Sequence, residues 1–289
     1  MRQNHPVPIP PTARWATSPR CEVFRTAYHE ADAGRYTSWN QIEEAFLASM
    51  SSFDTSIAAS TGSTLTDDEK SELGADLQNG KGDFFNDLLV LLLERCSGVD
   101  LLTTRRVVPG LIVPRHNLDG VYPATGQVRF MLEAKMMGTP KHINSPKQKA
   151  IGRPGSADID KRVKELAFKS IDLKGEFSRL QTMRGTAPRS GGAGGGDLTT
   201  WLRSVDPKIY FFIAVRVVSD ADFERTMAWA STAQQVLDAV GVYCFEPTDD
   251  SFTTYRRREG VPADLQLERV LYKACVDLQS VKDRAVDDA

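Results

Sequence analysis

The stretch Leu111–Lys135, LIVPRHNLDGVYPATGQVRFMLEAK, decides how this chain folds. It reads as a β-hairpin. An apolar strand leads in, Asn117-Leu118-Asp119-Gly120 opens the first arm, and Pro123-Ala124-Thr125-Gly126 supplies turn chemistry. Val128 to Lys135 forms the second arm. With the turn centred near Gly126, Asp119 lies opposite Glu133 and Val121 opposite Met131, at Cβ separations of roughly 4.5–5.5 Å. Side chains alternate along a strand, so Asp119, Glu133 and Lys135 share one face. Leu118, Tyr122, Phe130 and Leu132 take the other, apolar face. Two carboxylates and a lysine on a well-patterned strand point to a divalent metal site.

Upstream of the hairpin the chain is helical. Asp83 to Cys96 is strongly apolar and reads as a buried helix, which Gly98 ends and which Gly80-Lys81-Gly82 separates from the segment before it. Earlier helices are expected over Glu22–Ala31, from Ser38 through Met50, and from a capped start at Thr66 to about Leu77. Ser51 to Ser63 carries no clear pattern. Residues 1–20 are rich in proline and polar, and read as an extended arm or a disordered lead. Downstream, Ser156 is placed to cap a helix from Ala157 to about Leu173. Its Ile159, Val163, Leu166, Ala167 and Ile171 form an apolar face, and Lys161, Arg162, Lys164 and Lys169 form a basic one. Lys208 to Val218 is nearly continuously apolar, as a strand buried on both faces is. A helix over Asp222–Val240, a strand over Val242–Phe245 and a last helix over Ala263–Val281 complete the order.

This order predicts an α/β chain: a mixed sheet flanked by helices on both faces. It divides into an N-terminal arm and helical subdomain over residues 1–78 and a core over 79–289, packed as one compact domain. A formal net charge of -2 over 289 residues excludes a protein that coats nucleic acid nonspecifically, though not one with a local basic groove. The four cysteines, Cys21, Cys96, Cys244 and Cys275, lie far apart without a CxxC pair, as reduced thiols of a cytoplasmic protein do. No apolar leader is visible at the N-terminus, and the longest apolar run, near Leu88–Leu93, is far shorter than a membrane span.

Asp119 and Glu133 supply the hard oxygen ligands that suit Mg²⁺, with Mn²⁺ as a substitute, and the backbone carbonyl of Ala134 is placed to add another. Lys135 points to the same face, where it can orient an attacking water and offset charge on phosphorus. The chemistry these residues suit is phosphodiester hydrolysis.

An Asp at a hairpin followed by a hydrophobic strand ending in Glu-x-Lys resembles the PD-(D/E)xK nucleases, in particular the type II restriction endonucleases. Leu118-Asp119 stands where the family has Pro-Asp, and Glu133-Ala134-Lys135 is the second half. The resemblance in element order covers about residues 80–250. It implies a restriction-endonuclease-like core, with the leucine-rich helix as the first core helix. That helix often carries an acidic residue near the metal, and Asn86 or Asp87 falls near that place.

The implied activity is Mg²⁺-dependent cleavage of duplex DNA at a short specific sequence, by a homodimer that cuts one strand per subunit. Base and phosphate contacts are expected from the basic loop that leaves the catalytic strand, through Lys141, His142, Asn144, Lys147, Gln148, Lys149 and Arg153. Arg184 and Arg189, ahead of a glycine run, form a second candidate segment. Two other readings stand beside this one. One is a repair or structure-selective nuclease of the same fold. The other is a noncatalytic DNA-binding protein whose acidic pair is structural.

Overall fold

The computed structural model describes residues 13–60, 65–99, 106–140, 152–185, 198–249 and 253–287. In chain order the helices are α1 (Arg14–Thr17), α2 (Glu22–Ala33), α3 (Glu43–Ser60), α4 (Asp67–Ala75), α5 (Lys81–Ser97), α6 (Ile159–Met183), α7 (Leu198–Ser204), α8 (Asp220–Ala233) and α9 (Leu267–Asp287). The strands are β1 (Arg106–Val108), β2 (His116–Leu118), β3 (Gly120–Tyr122), β4 (Phe130–Met137), β5 (Lys208–Arg216), β6 (Ala239–Pro247) and β7 (Tyr255–Arg257).

Five strands form one mixed sheet in the order β3-β4-β5-β6-β7. The β3–β4 and β6–β7 pairs are antiparallel, and the β4–β5 and β5–β6 pairs are parallel. Parallel neighbours need crossovers, which α6 and α7 supply between β4 and β5 and α8 supplies between β5 and β6. The expected mixed sheet with helices on both faces is therefore present. Alternation along β4, β5 and β6 divides the core into two layers. Phe130, Leu132, Tyr210, Phe212 and Tyr243 join the cluster of the N-terminal helices and α9, whereas Met131, Ile209, Phe211, Ile213 and Val242 join that of α6 and α8. Trp39 and Phe46 meet Tyr243 at ring-centroid distances of 4.9 and 5.7 Å, so helices from the first 78 residues share a core with the sheet.

The hairpin register is as read: Val121 pairs with Met131, and Gly120 pairs with Leu132. A Cβ at Gly120 would press on the Leu132 side chain and force it to shift. Leu118 needs correcting. It packs with Val121 and Met131, not with Phe130 and Leu132. The chain bends at Asp119, and β2 pairs with β1 in a separate two-stranded sheet, so parity does not carry across the bend.

The helical expectations differ from the structure in several places; α8 ends at Ala233, so Ala239 and Val240, expected in that helix, belong to β6, and α9 begins at Leu267, not Ala263. Gly80-Lys81-Gly82 does not break the chain: α4 runs through a π segment, Asp76–Gly80, straight into α5. Asp76 is buried there, and Arg14 and Ser18 donate to its carboxylate at 2.8 and 2.9 Å. Residues 51–60 continue α3, anchored by the buried Phe53 and Ile57. Within the N-terminal stretch, Arg14–Thr17 is helical and Trp15 is fully buried. The helix after the hairpin runs to Met183, ten residues past the expected end at Leu173. The expected capped start of α4 is a capping box formed by Thr66 and Glu69, and Gly98 ends α5 at φ 63°.

Candidate active site

Asp119, Glu133 and Lys135 meet at the end of the β3–β4 pairing. Lys135 Nζ donates to Asp119 Oδ2 at 2.6 Å and to Glu133 Oε2 at 3.3 Å. The β3–β4 register ends at Gly120–Leu132, so the Ala134 N–H, one step further along β4, is open and donates to Asp119 Oδ2 at 3.1 Å. The N–H and carbonyl of one strand residue leave on the same edge, so the Ala134 carbonyl also faces the side on which Asp119 lies. The bend at Asp119 thus turns a carboxylate across the open end of the ladder.

A fourth group completes the cluster. Lys169 of α6 reaches over the sheet and donates to Glu133 Oε1 at 2.5 Å and to the Asn117 carbonyl at 2.8 Å. Glu133 therefore has an ammonium on each oxygen, and the four side chains balance in formal charge. Burial pushes the Glu133 carboxyl above the ordinary carboxylate range, and repulsion from Asp119 adds to this, against the pull of Lys135 and Lys169. Burial acts to lower Lys135, but Asp119 and Glu133 outweigh it and hold the ammonium above the usual lysine value.

These residues line a cleft of about 370 Å³ between β4 and α6, with Asn117, Arg162, Glu165, Leu166 and Phe211 as its other walls. Arg162, Glu165, Leu166 and Lys169 lie at helical positions i, i+3, i+4 and i+7, so one stripe of α6 faces the cleft. Arg162 pairs with Glu165 at 2.8 Å. Reading Lys169 as part of the basic face of the helix missed this. Its place at the end of that stripe, with the apolar Leu166, gains meaning only from the packing of this face of α6 over β4.

The helix before the hairpin contributes less to the cleft than expected. Asn86 Nδ2 donates to the Asp119 backbone carbonyl at 3.3 Å, so α5 braces the bend. Asp87 turns the other way and accepts the Trp15 indole N–H at 2.8 Å. His116 is structural: buried, it meets Asp172 Oδ2 at 2.6 Å.

Of the residues expected to contact DNA, Lys141, His142, Asn144, Lys147, Gln148, Lys149 and Arg189 lie outside the described residues. Arg153 is exposed, forms an isolated bridge with Thr139 and pairs with Asp158 at 2.5 Å. Arg184 is exposed at the far end of α6, fifteen residues from Lys169, which is roughly 22 Å along a helix axis. The structure therefore does not bring Arg184 to the cleft. In the Arg256-Arg257-Arg258 cluster, Arg256 is exposed and Arg257 and Arg258 are half-buried. The cluster is tied to Glu246, Glu43, Glu268 and Asp220 by ion pairs of 2.7–3.2 Å.

No protein-family model, no curated protein and no solved structure matches this chain.

Among the described residues no three His, Cys, Asp or Glu side chains gather as a metal-holding group. A divalent ion would therefore rest on Asp119, Glu133 and the Ala134 carbonyl. The donor set fits such an ion: two carboxylates present hard anionic oxygens to one cleft. No helix among the described residues is long and apolar enough to cross a membrane.

Proposed function

We propose that this chain is a Mg²⁺-dependent endodeoxyribonuclease with a restriction-endonuclease-like core, which hydrolyses phosphodiester bonds in duplex DNA at a short specific sequence. One observation carries the reading: Asp119 and Glu133 both contact Lys135 Nζ, at 2.6 and 3.3 Å, in an open cleft at the end of a strand ladder. A merely structural ion pair has no need of two carboxylates around one lysine beside a cleft. Removing such charges from water costs several kcal/mol per ion, which burial of apolar side chains would avoid.

Asp119, Glu133 and the Ala134 carbonyl are the groups that would hold the ion. When bound, it supplies Lewis-acid polarisation of the phosphoryl oxygens and lowers the pKa of water. Lys135 does the rest from the protein side. Its ammonium stays protonated at neutral pH, sits beside both carboxylates, and can orient a water and offset charge that builds on the phosphoryl group. Asn86 and the Ala134 N–H fix Asp119 so that its carboxylate does not swing out of the cleft.

DNA as substrate is supported by the cationic surroundings. Arg162 of α6 lines the cleft, and in sequence the basic segment from Lys141 to Arg153 follows soon after β4. Cutting both strands of a symmetric site calls for two copies of the chain, and sedimentation with a short duplex measures that stoichiometry.

The test is digestion of supercoiled plasmid with Mg²⁺ or Mn²⁺. Asp119→Ala, Glu133→Ala and Lys135→Ala each abolish cleavage while leaving the far-UV CD spectrum and DNA affinity in place. Discrete bands mark a site-specific enzyme, and preferential cutting of forks or junctions would replace that reading with a structure-selective one. DNA binding without cleavage in either metal would mark a noncatalytic protein.

A further inference from the structure

Lys169 is the feature of the cleft that hydrolysis by Asp119, Glu133 and Lys135 leaves unexplained. It comes from a different element, α6, and makes the shortest contact of the cluster, 2.5 Å to Glu133 Oε1. Its side chain is 19% exposed and that of Glu133 6%, so the pair sits at the inner wall of the cleft, not on open surface. Its second bond, 2.8 Å to the Asn117 carbonyl, ties it to the strand that leads into Asp119.

We propose that Lys169 is the counter-ion of Glu133 in the metal-free protein, a placeholder that a divalent cation displaces and that then turns toward the incoming phosphate. The inference rests on the reading of Asp119 and Glu133 as metal ligands. Two ammonium groups balance two carboxylates in the metal-free cleft. Adding a divalent ion would leave two excess positive charges there while both lysines remain. Lys135 has Asp119 and Glu133 to hold it, at 2.6 and 3.3 Å. Lys169 has one carboxylate and one neutral carbonyl, on a flexible four-carbon stem, so it is the cation that gives way. Its stripe neighbours Arg162 and Leu166 line the cleft beyond it, so the released ammonium stays within reach of a bound anion.

The consequence is a split that a structural lysine does not produce. Lys169→Met removes a competing cation, so Mn²⁺ binds more tightly, on the order of tenfold, because a unit charge several ångströms from the ion acts in a medium well below the dielectric of water. Cleavage at saturating metal nevertheless slows, because a phosphate contact is gone, and Lys169→Arg recovers part of the rate.

Isothermal titration of Mn²⁺ into the full-length wild type, Lys169→Met and Glu133→Ala reads the first half. In the wild type itself, acetylation of Lys169 followed by mass spectrometry, with Lys282 as the reference, reads displacement without any variant. Expected are tighter Mn²⁺ binding in Lys169→Met and several-fold faster labelling of Lys169 with Mn²⁺ present. Unchanged or weaker binding in a folded Lys169→Met, or labelling that Mn²⁺ leaves alone or slows, overturns the placeholder role. Failure of the wild type to bind Mn²⁺ at all overturns the metal site and the placeholder with it, and that outcome is distinct from the others.

Discussion

Asp172 makes a strong prediction because its bonds can be counted. It lies on α6, 1% exposed, and its carboxylate accepts the Ile112 N–H at 2.6 Å, the Val113 N–H at 3.0 Å and His116 Nε2 at 2.6 Å. Three hydrogen bonds to one carboxylate therefore clip the 109–116 loop to α6, directly before Asn117 and Asp119. A Cβ at Gly110 would overlap that carboxylate, so the loop is moulded around it. A hydrogen bond to a charged group contributes about 1.5–3 kcal/mol. In Asp172→Ala, water replaces part of the loss at the exposed Ile112, but the buried His116 keeps an unpaired ring nitrogen. The net cost is therefore about 3–5 kcal/mol, below the simple sum, and at roughly 2 °C per kcal/mol the midpoint falls by about 6–10 °C. Asp172→Asn keeps the shape and one acceptor, and costs about half as much. Burial works to raise the Asp172 carboxyl, but the bonds from His116, Val113 and Ile112 outweigh it and hold it below the ordinary 3.8. A depressed folded value means this stabilisation is complete above pH 3.8 and is lost as pH falls below it. Urea unfolding at pH 7 and at descending pH measures both. A loss under about 1 kcal/mol in Asp172→Ala would show that the clip does not hold the loop.

Three further outcomes are expected. Glu133 is held above its ordinary 4.5, so its contribution to stability is fullest below that pH and declines as pH rises through the folded value. The metal-free Glu133→Gln variant therefore gains on the wild type across that window, and thermal melts from pH 4.5 upward would show the gain absent if burial does not penalise the charge. Asp54 is the counter-ion of the buried Lys81 and accepts from Tyr255 Oη at 2.6 Å, so Asp54→Ala leaves a buried cation alone and costs about 3–5 kcal/mol by chemical denaturation. Asn86→Leu removes the brace on Asp119, so cleavage falls on the order of tenfold while the unfolding midpoint moves little; an unchanged rate would show that α5 does not position the site.

Much of the site was legible because strand parity and register are short-range rules. Val121–Met131 pairing follows from turn position alone, and with it the meeting of Asp119 and Glu133. Parity failed at Leu118 because it assumes one unbroken strand, and the bend at Asp119 breaks it. The run through Gly80-Lys81-Gly82 was misread because propensity marks glycine as a breaker, whereas the buried Asp76 with Arg14 and Ser18 holds the helix together from outside. Lys169 was hidden because its meaning depends on which face of α6 lies over β4, a tertiary fact that the helix period does not contain. Asp87 was drawn toward Trp15, a residue 72 positions away, by a contact that no local pattern announces.

The most direct measurement is the time course of supercoiled plasmid with Mg²⁺, comparing the wild type with Glu133→Gln, whose fold is checked by circular dichroism. The account predicts discrete linear fragments from the wild type and intact plasmid from the folded variant. A wild type that leaves the plasmid uncut in both Mg²⁺ and Mn²⁺, or a Glu133→Gln protein that cuts at the wild-type rate, would contradict it.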